Sequence, residues 1–223
     1  MKVYVDPIST TSRALLLFLA EHGNPAEIVP VRLFPGEHLT SQYAAINPNQ
    51  CVPALQDGDF TLCESSAILK YLAEKLDSPT YPRDLQQRAR VNERMDWLNT
   101  GLYRDFGYGV VYQQIFPKFR FDNPATQAQV LAQAKERAPK WLAILNDHHL
   151  NGREYLCGDQ LTIADYLGAT YLSIADWVSY DLAQYPNVTA WLERMKARPS
   201  WQQTHDEWNG LVAQLQQQNL KSA

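Results

Sequence analysis

Tryptophan is confined to one part of this chain: all six lie at or beyond Trp97, while the residues before it are dense in proline and in short β-rich runs. So sharp a change in composition favours two domains. The break falls at Asp77-Ser-Pro-Thr-Tyr-Pro-Arg-Asp84, where two prolines in a polar context stop a helix and stiffen a connection. Residues 1–77 and 85–223 are therefore the expected domains, with 78–84 as linker. A chain of 223 residues that is 45% hydrophobic and 20% charged has enough apolar matter for one large core or two modest ones.

Before the linker, Lys2 to Val5 alternates as a strand, Ser12 to His22 is a nearly all-apolar helix ended at Gly23, and Glu27 to Arg32 reads as a second strand. Ala54 to Gln56 and Phe60 to Cys63 flank Asp57-Gly58-Asp59, a hairpin turn, and Ser65 to Leu76 is apolar at helical spacing. The order is βαβ, then ββα. After the linker, Leu85 to Val111, Thr126 to His148, Thr162 to Trp177 and Val188 to Ala197 all carry helical spacing, which predicts an all-α bundle. In Leu161-Thr-Ile-Ala-Asp-Tyr166, Thr162 and Asp165 form a capping box and Leu161 with Tyr166 a hydrophobic staple. That motif sets the position of a helix and carries no chemistry.

Several function classes fall away on bulk grounds. The net charge of -4 comes without a dense Lys/Arg block, so the footprint needed to grip nucleic acid is missing. The longest apolar run, Ala14 to Ala20, falls well short of the roughly 20 residues that span a bilayer, and a strand pattern begins straight after Met1, so neither a membrane span nor an export signal is expected. Cys51, Cys63 and Cys157 are odd in number and form no CxxC, which argues against disulfides and zinc and suits a reducing cytoplasm. His22, His38, His148, His149 and His205 lack metal-ligand spacing, and no metal is expected.

Three segments carry candidate chemistry. Ser9-Thr-Thr-Ser-Arg-Ala14 joins the first strand to the first helix; its hydroxyls serve either as helix caps or, beyond the C-terminal end of a strand, as donors to an anion. In Asn47-Pro-Asn-Gln-Cys-Val-Pro-Ala54 a Val-Pro pair precedes a strand, and a cis Val52-Pro53 bond there would expose the Val52 amide and carbonyl. Glu64-Ser-Ser-Ala67 opens a helix: it is either one more cap or a site for a zwitterionic head, with Ser65 donating to a carboxylate and Glu64 accepting from an ammonium.

Together these pieces resemble the glutathione-binding domain of cytosolic glutathione transferases, above all the theta and delta classes and their bacterial relatives. The residues that carry the resemblance are Ser9-x-x-Ser12-Arg13-Ala14, Gly36-Glu-His38, Asn47-Pro48 with Val52-Pro53-Ala-Leu55, and Asp57-Gly-Asp-Phe-x-Leu-x-Glu-Ser-Ser-Ala-Ile68. Gly158-Asp-x-Leu-Thr-Ile-Ala-Asp165 and Tyr185-Pro-Asn-Val-x-Ala-Trp191 extend it over almost the whole chain. The resemblance implies a thioredoxin-like α/β domain followed by an all-α domain, assembled as a homodimer, with glutathione as cosubstrate and a small hydrophobic electrophile as its partner. Carried over residue by residue, it implies that Ser9 hydrogen-bonds the glutathione sulfur and that Val52, ahead of cis-Pro53, pairs with the cysteinyl part. Glu64 and Ser65 would hold the γ-glutamyl head, and His38 the glycyl carboxylate. Gln50 and Cys51 stand where related classes often carry His, Lys or Thr, and Leu98-Asn-Thr-Gly101 stands where several classes place an acid that reaches the partner subunit's ligand. From the aromatic set Tyr103, Phe106, Tyr108, Tyr112 and Phe116, the acceptor pocket is assigned to Tyr103, Tyr112 and Phe116. Two other functions compete: a glutathione-dependent disulfide or peroxide oxidoreductase, and a non-catalytic binding or regulatory module.

Overall fold

Four strands make one mixed sheet in the order β2-β1-β3-β4, built from β1 (Lys2–Val5), β2 (Glu27–Pro30), β3 (Ala54–Asp57) and β4 (Phe60–Cys63). In this computed structural model, residues 1–222 are described, with side chains through residue 217; Ala223, the last residue of the expected second domain, lies outside the described residues. β1 runs parallel to β2 and antiparallel to β3, and the β3–β4 hairpin turns at Gly58 with φ 61°, the left-handed conformation that glycine adopts without steric cost. Helix α1 (Thr10–Glu21) forms the β1–β2 crossover, short α2 (Ser41–Ala44) follows β2, and α3 (Ser65–Lys75) follows β4. The βαβ-ββα order read from the sequence is the one observed.

The remainder is helical. α4 (Leu85–Trp97) continues into wider π-type turns over Leu98–Val111 and then short α5 (Tyr112–Ile115), so the expected helix from Leu85 to Val111 is one long rod with an altered pitch. It is followed by α6 (Pro124–Ile144), α7 (Ile163–Ser173), α8 (Pro186–Lys196), α9 (Pro199–Thr204) and α10 (Asp206–Ser222). The helical spacing legible in the sequence runs to Ala197, so α9 and α10 lie beyond it. Gly210 and a glutamine-rich stretch leave α10 a weak apolar stripe, and among its described side chains only Trp208 is buried.

The two halves share one interior rather than holding separate cores. A single apolar cluster runs from Val3, Val5, Leu15 and Phe18 through Ile68 and Leu72 to Tyr166, Leu172 and Trp191. Helix α1 explains this: Ala14, Leu15, Leu17, Phe18 and Leu19 are all buried, because one face packs on the sheet and α3 and the other on α7 and α9. Every residue of α7 is buried in turn. Its capping box is present, and the Asp165 carboxylate accepts from the amides of Thr162 and Leu156, the Thr162 hydroxyl and the Trp191 indole at 2.8–3.0 Å. A smaller cluster of Tyr4, Val31, Tyr43, Val52 and Ala54 fills the opposite face of the sheet and sets the loop before β3 on a firm base.

Candidate active site

The β1–α1 loop is shaped by one buried carboxylate. Asp6 accepts from the Ile8 amide at 3.1 Å and from the Leu33 amide at 2.7 Å, tying the loop that leads to Ser9 to the loop that carries His38. Ser9 has extended geometry (φ -73°, ψ 125°) and is the N-cap of α1, its Oγ accepting from the Ser12 amide at 3.3 Å. Its hydroxyl also lies 3.1 Å from that of Thr11, and Thr11 donates to the Val52 carbonyl at 3.1 Å. Since Thr11 has spent its one proton on Val52, the Ser9 proton is the one shared between the two hydroxyls. The structure thus joins Ser9 and Val52 through Thr11, a residue the sequence reading did not assign.

The Val52-Pro53 bond is cis, as expected. The loop before it is fastened at the Cys51 carbonyl, which accepts from Tyr43 Oη at 2.8 Å and Asn47 Nδ2 at 2.6 Å. Gln50 bonds the Leu39 carbonyl at 3.0 Å, so it links this loop to the one bearing His38. His38 lies on the short turn Glu37–Leu39, with its Nδ1 buried and lacking a hydrogen-bond partner among the described residues. Burial, with help from the nearby Lys118 ammonium, holds its pKa below the ordinary histidine value, so the ring is neutral at pH 7. At the other end of the site, Glu64 sits at φ 68°, a left-handed conformation that costs a non-glycine residue about 1–2 kcal/mol, and the turn delivers buried Ser65 to the first position of α3. Tyr171 of α7 reaches this place: its hydroxyl interacts with Ser65 and donates to Asn99 Oδ1 at 2.7 Å. Asn99 belongs to the Leu98–Gly101 stretch that had no assigned partner.

The aromatic set divides. Tyr112 is 7% exposed and shares hydrogen bonds with Thr10 at 2.9 Å and with Tyr103 at 2.5 Å, while Tyr103, also 7% exposed, stacks on Tyr171 at 3.8 Å. Both phenols are raised above the ordinary tyrosine pKa by burial and stay neutral. Phe116 instead lines a cavity of about 390 Å³ with Phe34, Ile115, Leu211 and Leu215. Phe34 and the α10 leucines carried no signal in the sequence, because they come from a loop and a polar helix and meet only in space. Among the described residues no helix is long and apolar enough to cross a membrane, and no group of three or more His, Cys, Asp or Glu could hold a metal.

A thioredoxin-like sheet fused to a helical bundle through a shared α1 defines a class, and comparison agrees: residues 1–74 match the family described as "Glutathione S-transferase, N-terminal domain" and residues 105–199 "Glutathione S-transferase, C-terminal domain". The chain belongs to the glutathione S-transferase family. Its relatives include glutathione S-transferase theta-1 of Mus musculus, 36% identical over 202 residues, 88% of this chain and 82% of that protein, and human theta-2, 34% identical over 200 residues, 88% and 81%. Among solved structures, human theta-2 in complex with glutathione and an unknown ligand superposes with a TM-score of 0.82 at 32% identity, covering 99% of this chain and 90% of that one. The apo form of human T1-1 gives 0.81 at 33% identity, covering 92% and 87%.

Proposed function

We propose that this enzyme adds the glutathione thiolate to a hydrophobic electrophile, with the Ser9 hydroxyl donating to the sulfur. The observation that carries this reading is the chain Ser9–Thr11–Val52 carbonyl, with both contacts at 3.1 Å, which couples a hydroxyl at a helix N-terminus to the backbone beside cis-Pro53. In this reading Val52 pairs with the cysteinyl unit, Glu64 and Ser65 hold the γ-glutamyl head, and His38 with Lys118 meets the glycyl carboxylate. The electrophile enters the cavity between Phe34, Phe116 and Leu211, with Tyr112 packed against Phe116 at 5.3 Å and Tyr103 bonded to Tyr112. The sulfur lone pair forms the new bond to carbon while the leaving group departs with its electron pair. The working form is a cytoplasmic homodimer of two-domain subunits, divided at 78–84. An exchange reaction run through an enzyme thiol would want a cysteine at the α1 N-terminus, where this chain has Ser9.

A hydrogen bond to a charged group contributes roughly 1.5–3 kcal/mol, but Ser9 gives up its neutral bond to Thr11, worth about 1 kcal/mol, in order to make it. The net is about one pKa unit on the thiol. Ser9→Ala is expected to raise the pKa of bound glutathione by about that much and to slow conjugation of a chloronitrobenzene at neutral pH about tenfold, with glutathione affinity largely kept. Full activity with an unshifted thiolate titration would refute the assignment.

A further inference from the structure

Arg13 is fully buried one turn into α1, its backbone amide bonded to the Ser9 carbonyl at 3.0 Å. One Nη donates to the Thr170 carbonyl at 3.2 Å and to Ser173 Oγ at 3.0 Å, and the guanidinium lies 3.2 Å from the centre of the Trp208 ring. Its Nε and other Nη have no hydrogen-bond partner among the described residues, and no carboxylate there lies within ion-pair distance of it. A buried cation in this state is costly: burial, only partly offset by Tyr112, Tyr103 and Asp176, pulls its pKa down to about 9. The titratable groups that face it leave the charge uncancelled. Tyr103 and Tyr112 are neutral phenols, and His205, 0% exposed and stacked on Trp201, is pulled to about 3 by burial and by Arg13 itself. Asp176, the next influence, is engaged by Lys196 at 3.3 Å.

Side chains on a helix lean toward its N-terminus, so the Arg13 head lies over the turn that carries Ser9 and Thr10. Tyr112, whose phenol bears electrostatically on the guanidinium, is bonded to Thr10 of that turn at 2.9 Å. We propose that Arg13 is a positioning residue for the reaction: it holds positive potential behind the sulfur subsite, and the thiolate of bound glutathione is the counter-charge that the folded chain lacks. This rests on the reading that the sulfur lies at the N-terminus of α1. It adds to that reading a second source of thiolate stabilisation, independent of the Ser9 hydroxyl. A merely structural Arg13, fastening α1 to α7, would need the donors and not the charge.

The test separates charge from fastening with two variants. Arg13→Gln keeps donors and removes the charge, whereas Ser173→Asp places a carboxylate beside the guanidinium and neutralises it in place, so it does not depend on the first variant folding. Both are expected to raise the pKa of enzyme-bound glutathione, read from thiolate absorbance, by about one unit, a tenfold loss of thiolate below that pKa. Binding of S-methylglutathione, which has no charge at sulfur, is expected to stay within about twofold of the parent, and Arg13→Lys to keep the parent thiol pKa. Glutathione sulfonate, charged at that position, is expected to lose affinity about tenfold in both variants. If folded Ser173→Asp and Arg13→Gln proteins titrate like the parent, the proposal is overturned while the role of Ser9 stands. If Ser9→Ala leaves the titration unmoved and these two shift it, the reverse holds.

Discussion

Two fully buried charges, Asp165 at the start of α7 and Arg13 at the start of α1, receive opposite treatment from the fold. Asp165 meets four donors within 3.0 Å, from both ends of a loop and from a tryptophan on a third helix. Burial raises its pKa above the ordinary carboxylate value, while those four bonds stabilise whatever charge it carries. Arg13 has two acceptors and one aromatic face, and two of its nitrogens are left over. A buried polar group satisfied by its own chain does structural work, and one left incomplete stores free energy that a ligand can release.

The contrast can be broken most forcefully at its satisfied end. Asp165→Ala leaves the Leu156 and Thr162 amides and the Trp191 indole buried without an acceptor, at about 1–3 kcal/mol each, so a loss of about 4 kcal/mol or more is expected in denaturant unfolding. A loss under about 1 kcal/mol would mean that water replaces the carboxylate and that satisfaction is no guide to role.

A smaller effect is expected where α1 ends. Burial would raise the pKa of Glu21, but bonds from Arg198, Ser200 and Tyr166 at 2.6–2.7 Å outweigh it and hold it below the ordinary glutamate value. A carboxylate depressed in the folded state contributes stability that is present above its unfolded pKa, near 4.3, and lost as pH falls through the folded value. Stability should therefore drop on acidification below about pH 4, and Glu21→Gln should flatten that drop while costing about 1–2 kcal/mol at neutral pH. Identical acid profiles for parent and variant would show that this cluster is not what acid breaks.

The smallest expected change is at Thr11. Thr11→Val removes the competitor for the Ser9 proton, so the bound thiol pKa should fall by a few tenths of a unit with turnover within about twofold of the parent. A rise instead would make Thr11 the donor to sulfur.

What the sequence disclosed follows the range of the interactions involved. The β1–α1 hydroxyl loop, the Val52-Pro53 bond and the Thr162–Asp165 box are each written within a few consecutive residues, and the turn and cap chemistry of such segments is local. Of the cavity only Phe116 was legible, because Phe34 and Leu211 are apolar residues of unrelated segments. Helical spacing marked Tyr103 and Tyr112 as aromatic without telling which way their rods would turn, and the structure seals both. Nothing beside Arg13 in the sequence marks it as buried, since arginine is mostly a surface residue and its neighbours Thr170, Ser173 and Trp208 are distant in the chain.

Helix α1 carries the proposed sulfur subsite at its first turn, the unpaired cation at its second, and the Glu21 clamp to α9 at its last, all within 12 residues. Half of its environment is supplied by the other domain. Hybrid proteins made by joining the first half of one relative to the second half of another would therefore inherit every motif that identifies the glutathione site and still place Arg13 against foreign neighbours. Parts that look interchangeable at the level of the gene are, in this molecule, matched as a pair.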